Sequence, residues 1–152
     1  MEVYRIVLKK WATKLVASGN AARWNSKDHE VIYTAASRAL ASLENIVHRS
    51  GEGLNENFRV LVIEIPSIIK MEIITLADLP DHWWEINHYR DCRKIGDEWL
   101  AAGKSGVLKV PSAIILHEHN YLLNPQHPDF KKVKLKHREG FKFDPRIKDD
   151  EG

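Results

Sequence analysis

The run FRVLVIEI (58–65), closed by Pro66, constrains this chain more than any other feature. A near-continuous apolar, β-branched stretch of that length reads as a strand buried in the core. KMEIITL (70–76) follows so closely that it is expected to fold back on it as a hairpin. The opening alternates Val3, Arg5 and Val7 against Tyr4, Ile6 and Leu8, which predicts a first strand. VIYTA (31–35) is a short β-rich run. SRALASLENIVHR (37–49) has helical periodicity, with Ser37 as N-cap and Gly51 and Gly53 as the stop. A second helix is expected over RDCRKIGDEWLAA (90–102), ended by Gly103, after a loop containing Trp83 and Trp84. VLKV (107–110), AIILHE (113–118) and VKLKHRE (133–139) read as further strands. Strands outnumber helices and do not alternate regularly with them. The fold class is therefore α+β, with a mixed or antiparallel sheet and flanking helices, and not a doubly wound fold.

A chain of 152 residues supports one domain with a substantial core. The charge balance, 23 Lys plus Arg against 21 Asp plus Glu, is too even to make nucleic acid or anionic lipid the main partner. Cys92 is the one cysteine, which excludes an internal disulfide framework, and there is no C-x-x-C zinc pattern. The opening lacks the basic-then-apolar pattern of a signal peptide, and no apolar run approaches the roughly 18 residues that span a bilayer. A cytoplasmic protein is expected, with a domain over 1–145 and a flexible acidic tail over 146–152. Trp83, Trp84 and the apolar 58–76 segment are expected to cover the core rather than an interface.

Chemistry-bearing residues are few. Arg23 stands in NAARWN among small residues that let a ligand approach the backbone, where a guanidinium suits a phosphate or pyrophosphate. An ordinary surface arginine beside a packed Trp24 is the competing reading. On a projection of roughly 100° per residue, Ala36, Leu40, Leu43 and Val47 form the apolar stripe of the first helix, and Glu44 falls about 40° from Leu40 at its margin. A carboxylate facing a core margin needs a partner, catalytic or structural. Ser112 follows Pro111 in an apolar strand region, where an edge or bulge re-aims a side chain, or where a serine simply makes a turn. No G-x-S-x-G elbow marks a hydrolase nucleophile. His117 and His119 form an H-x-H pair, with His127 a third histidine for a metal site, but no further ligand stands at a telling spacing, and no metal is expected. The lysines of 131–139 lack interleaved aromatics and suit a solvated edge strand better than a nucleic-acid surface.

In order along the chain, VYRI (3–6), Arg23 in ARWN, Tyr33 in VIYTA, Glu44 in ALASLE (39–44), Ser112 in VPSAI and NYLLNPQHPDF (120–130) resemble the elements of the RES domain family, the toxins of bacterial Res–Xre toxin–antitoxin pairs. The family takes its name from an Arg, a Glu and a Ser. Asn20-Ala21-Ala22 stands where glycines are usual, and the stretch between Val7 and Gly19 is short. The resemblance implies a fold like that of ADP-ribosyltransferase toxins and an activity that consumes NAD⁺ as substrate, without a metal. It implies that Glu44 supports cleavage of the nicotinamide–ribose bond, that Arg23 holds the pyrophosphate, that Tyr33 stacks on nicotinamide and that Ser112 fixes the nicotinamide end. Arg5, on the face of Val3 and Val7, is a further candidate for anion binding. An Xre-type helix-turn-helix antitoxin is the implied partner, and a homodimer within the complex is one arrangement.

The expected function is depletion of NAD⁺ by hydrolysis or phosphorolysis. The alternative keeps the pocket and passes ADP-ribose to a protein. Ser42, two residues before Glu44, stands where many protein-directed transferases carry a second carboxylate, which leans toward a small acceptor. A third reading, an RNA-binding or RNA-cleaving toxin, would use the 131–139 strand with His117 and His119.

Overall fold

The computed structural model describes residues 1–49 and 53–147. Its elements are β1 (Glu2–Leu8), β2 (Ile32–Ala35), α1 (Arg38–His48), β3 (Phe58–Glu64), β4 (Met71–Ile73), α2 (Tyr89–Ala102), β5 (Val107–Pro111), β6 (His119–Leu123) and β7 (Lys134–Phe141). The strands form one mixed sheet in the order β4-β5-β6-β2-β1-β3-β7, with β4–β5 its parallel pair. This is the α+β architecture the sequence predicts, in a single domain. Among the described residues no helix is long and apolar enough to cross a membrane.

Side-chain alternation sorts the sheet into two faces. One carries Val3, Ile32, Leu61, Ile63, Tyr121 and Leu123 and is covered by Ala12, Leu15 and Ala17 of the β1–β2 connection. The other carries Ile6, Ala35, Val60 and Val62 beneath α1, and Leu108, Val110 and Leu122 beneath α2. Strand β3 is buried between the layers because its apolar run serves both faces. The pairing is uneven. β1 is laddered to β3 from Glu2↔Glu64 to Leu8↔Phe58, but it meets β2 in register only at Tyr4↔Ala35. The sheet therefore splits beside β2, and the two helices flank that line on one face.

Three expectations about elements are corrected. KMEIITL does not fold back on β3: β7 occupies that edge, and β4 crosses to the far end of the sheet to run parallel to β5. Pro66 withholds an amide, and the turn that follows, closed by the Ile69 amide on the Pro66 carbonyl, redirects the chain. AIILHE is not a strand. The Ser112 hydroxyl accepts the amides of Ile114 and Ile115, bending the chain into the turn that links β5 to β6. The stripe of α1 is also rotated from the expected one: Leu40 and Ala41 are buried, whereas Leu43 and Val47 are exposed. Asn45 explains the rotation, because its amide donates to the Ile6 carbonyl of β1 and holds the inner face there.

The Ser37 and Gly103 caps behave as anticipated. The Ser37 hydroxyl accepts the Leu40 amide, and Gly103 ends α2 in the left-handed region at φ +60°. Arg49 is the C-cap of α1; of the two glycines expected there, Gly51 lies outside the described residues. β7 is an edge strand, and two of its cations are held within the fold. Lys136 pairs with Glu2, and Arg138 donates to the carbonyls of Ala12 and Thr13. Past it, Phe143 packs edge-on against Phe58 and Ile147 reaches the same cluster, while residues 148–152 of the expected tail are outside the described residues.

Candidate functional site

Glu44 and Ser112 come from separate elements and meet. Glu44 lies on α1, one turn beyond the buried Leu40. Ser112 immediately follows β5, which Pro111 closes. Its hydroxyl accepts two amides of its own turn, at 3.0 and 3.1 Å, which leaves its single proton facing Glu44 Oε1 at 3.5 Å. The turn role and the site role of Ser112 are thus one geometry. The other carboxylate oxygen, Oε2, is 3.5 Å from His48 Nε2, one helical turn along and mostly exposed. The carboxylate itself is partly shielded, its side chain 23% exposed. A single oriented hydroxyl and an exposed imidazole leave it lone pairs for a ligand.

Tyr33 sits on β2 on the helix-bearing face. Its hydroxyl is fully occupied: it accepts the Trp24 amide at 3.1 Å and donates to Asn25 Oδ1 at 2.5 Å. Burial pushes its pKa upward, more than the nearby arginines lower it. The phenol is therefore a tether, and the half-buried ring is what it offers a ligand. Asn25 is the hub of this loop. It is 1% exposed, and its amide nitrogen donates to the carbonyls of Asn20, Ser26 and His29. We expect Tyr33→Phe to lower stability by about 1–3 kcal/mol, the cost of leaving a buried acceptor unpaired. Thermal denaturation checks this; an unchanged melting temperature would show that the hydroxyl is not what tethers the ring to the loop.

Arg23 occupies the turn between Ala22 and Asn25. Its Nη1 and Nη2 donate to the carbonyls of Trp83 and Trp84 at 3.1 and 2.7 Å, and its guanidinium lies 4.3 Å from the Tyr89 ring centre. It thus anchors the Trp83–Trp84 loop to α2, and any anion it also meets does so through the remaining edge of the fork. Arg93, close by, donates to the Ala22 carbonyl. Trp83 is buried as expected of a core residue, but Trp84 is exposed. Arg5 is not brought together with the others. Alternation puts it on the opposite sheet face with Val3 and Val7, and its Nη1 reaches the Tyr33 carbonyl at 3.3 Å, where β1 and β2 part. Burial lowers its pKa.

The histidines do not converge. His119 begins β6, whereas His127 lies beyond its other end, its Nδ1 accepting the Asp129 amide. Among the described residues, no three His, Cys, Asp or Glu side chains are grouped to hold a metal ion. Two shallow concavities lie on the helix-bearing side. One, of about 260 Å³, runs between Leu76–Trp84 and Leu116; the other, of about 230 Å³, is lined by His29, Asp97, Asn124 and Gln126 among others. Neither includes Glu44 or Ser112.

Sequence reading missed Asn25, Gly96 and Asp97. Asp97 on α2 receives the Ser26 hydroxyl at 2.5 Å, the Ser26 amide at 3.0 Å and the His29 ring at 3.1 Å. Burial pulls this carboxyl upward, but the Ser26 and His29 contacts outweigh it and hold it below the usual carboxylate range. A depressed folded pKa contributes stability above the unfolded value, near 3.9, that is lost as pH falls through the folded one. The melting-temperature gap between wild type and Asp97→Asn is therefore expected to be widest near neutrality and to close as pH drops below about 4. A gap independent of pH would show that the carboxylate's charge is immaterial.

The family model for the RES domain matches residues 2–144. A Prs ADP-ribosylating toxin of Sphingobium sp. (strain YBL2) is 36% identical over 127 residues, which are 82% of this chain and 79% of that protein. A protein named Toxin Res from Yersinia enterocolitica is 35% identical over 97% of this chain and all of its own length. The fold is similar to a chain in the crystal structure of the Mycobacterium tuberculosis MbcT–MbcA toxin–antitoxin complex, with a TM-score of 0.77 and 16% identity over 93% of this chain and 84% of that one.

Proposed function

Since the chain belongs to the RES domain family, we propose that it is the toxin of a toxin–antitoxin pair and that it cleaves the nicotinamide–ribose bond of NAD⁺ in the cytoplasm. The observation that carries this reading is the meeting of Glu44 and Ser112 at 3.5 Å, with the Tyr33 ring on the same helix-bearing side of a split sheet. As the C1′–N bond breaks, its electron pair leaves with neutral nicotinamide, and positive charge grows on C1′ and the ring oxygen of the ribose. Glu44 stabilises that charge and accepts the ribose 2′-hydroxyl. Ser112 orients Glu44, and Tyr33 supplies an aromatic face for the nicotinamide. Water or phosphate then attacks C1′, giving ADP-ribose or its 1-phosphate with release of a proton. Nicotinamide needs no protonation to leave, so no general acid is required. Arg23 serves by fixing the wall that flanks the dinucleotide, and Arg5 is the more remote candidate for its phosphates.

Transfer to a protein is the second reading, favoured by the name of the Sphingobium relative, an ADP-ribosylating toxin. Against it, the position two residues before Glu44 is Ser42, whose hydroxyl is spent on the Ala39 carbonyl of its own helix. The RNA reading has less support, because Lys136 and Arg138 of β7 are held within the fold. An Xre-type antitoxin that covers the groove is the partner this reading requires.

The test is to incubate purified, antitoxin-free protein with NAD⁺, with and without phosphate, and to follow nicotinamide by chromatography. Release under either condition supports cleavage and names the acceptor. Release that requires cell extract, with ADP-ribose appearing on a protein, supports transfer. Silence in every arm from folded protein ends the NAD⁺ reading.

A further inference from the structure

The concavity of about 260 Å³ between Leu76–Trp84 and Leu116 plays no part in the chemistry above, and its construction is unusual. Trp84 leaves 37% of its surface open in a loop that buries its neighbour Trp83. His82 adopts φ +58°, a left-handed conformation that a non-glycine residue holds only under constraint, and its ring stands 5.2 Å from the Trp84 ring. The loop is fixed from below: Arg23 grips the carbonyls of Trp83 and Trp84, and Thr75 and Asp78 form a reciprocal cap at its start. The opposite wall, Leu116, belongs to the turn that begins at Ser112, the residue facing Glu44. A half-open aromatic platform with an acidic rim at Asp81 is thus joined, through the turn that carries Leu116, to Ser112 and its partner Glu44.

We propose that this concavity is a purine-base subsite that seats the adenine ring of the dinucleotide, an inference that rests on the NAD⁺ reading above. Trp84 stacks on the face of the base, Pro80 and Leu116 enclose its edges, and Asp81 accepts a hydrogen bond from the exocyclic amine. The amine contact makes the site selective for adenine over hypoxanthine, which presents a carbonyl there.

The experiment titrates AMP into the purified protein while following tryptophan fluorescence, with nicotinamide mononucleotide, which lacks the adenine half, as the contrasting ligand. AMP is expected to quench saturably, IMP more weakly, and Trp84→Ala to weaken AMP binding about tenfold, the size expected for loss of one base stack. The same variant, shown folded by its melting curve, should lose NAD⁺ turnover through KM rather than kcat. Absence of AMP binding by folded wild-type protein overturns the subsite whether or not NAD⁺ is cleaved. Equal AMP affinity in the Trp84→Ala variant overturns it as well, as does a Trp84→Ala effect confined to self-association. AMP binding that is lost in the variant, in a protein that fails to cleave NAD⁺, leaves the base site standing and removes only the reaction.

Discussion

On the proposed NAD⁺ cleavage, Glu44→Gln is expected to lower kcat for nicotinamide release by roughly 10²–10³-fold or more, with KM and the melting temperature close to wild type. The reasoning starts from what the substitution keeps. A glutamine has the same shape, its amide oxygen still accepts the Ser112 proton, and the partly exposed side chain makes no buried ion pair whose loss would unfold α1. It loses the negative charge, which matters only when positive charge grows on the ribose. An interaction stronger in the transition state than in the ground state acts on kcat. Glu44→Asp keeps the charge but withdraws it by one methylene from a contact already at 3.5 Å, so it should fall between wild type and Gln. In cells, both variants should relieve toxicity in that same order. A folded Gln variant that still destroys NAD⁺ at the wild-type rate would remove Glu44 from the centre of the site, whatever became of the family assignment.

Where local pattern decided structure, the sequence was a good guide. The strand of residues 58–64 and the Ser37 and Gly103 caps follow from periodicity and capping chemistry, which act within a few residues. It was a poor guide wherever a distant partner decided. Nothing local says that β7 takes the edge of β3 and sends β4 to the far end of the sheet. The inner face of α1 was misjudged because Leu43 and Val47 look like core, while the side chain that docks the helix is a polar one, Asn45. Among the candidate site residues, Arg23, Tyr33, Glu44 and Ser112 were legible as a resemblance, but their contacts were not. Arg23 spends its terminal nitrogens on two carbonyls of the loop 60 residues away, and Tyr33 is tethered by Asn25. Asn25 carried no signal beyond its place in RWN. Gly96 did carry one, since a lone glycine inside a helical pattern calls for a packing reason.

Gly96→Ala is the second large effect, and its sign is unusual. In a helix interior, alanine ordinarily stabilises relative to glycine by about 1 kcal/mol. At this position a Cβ would lie 1.6 Å from the Trp24 carbonyl oxygen and 2.7 Å from its carbon, both backbone atoms that no side-chain rotation can move. The missing Cβ lets α2 rest directly on the RWN turn. A methyl group there must force helix and turn apart, and everything the turn carries moves with it: Trp24 against Trp83, the Tyr33–Asn25 tether, and the Arg23 hold on the Trp83–Trp84 loop. We expect a net loss of about 3 kcal/mol, at the upper end of overpacking penalties, seen as a drop of roughly 6–12 °C in melting temperature. NAD⁺ turnover should fall even at temperatures where the variant stays folded, because the Tyr33 ring and the Trp84 platform both hang from the displaced turn. Gly140→Ala is the control, since a Cβ on that edge-strand residue meets nothing within 4 Å and should leave both properties unchanged. A Gly96→Ala protein as stable as wild type would mean that α2 and the RWN turn are not in the contact on which this account of the site depends.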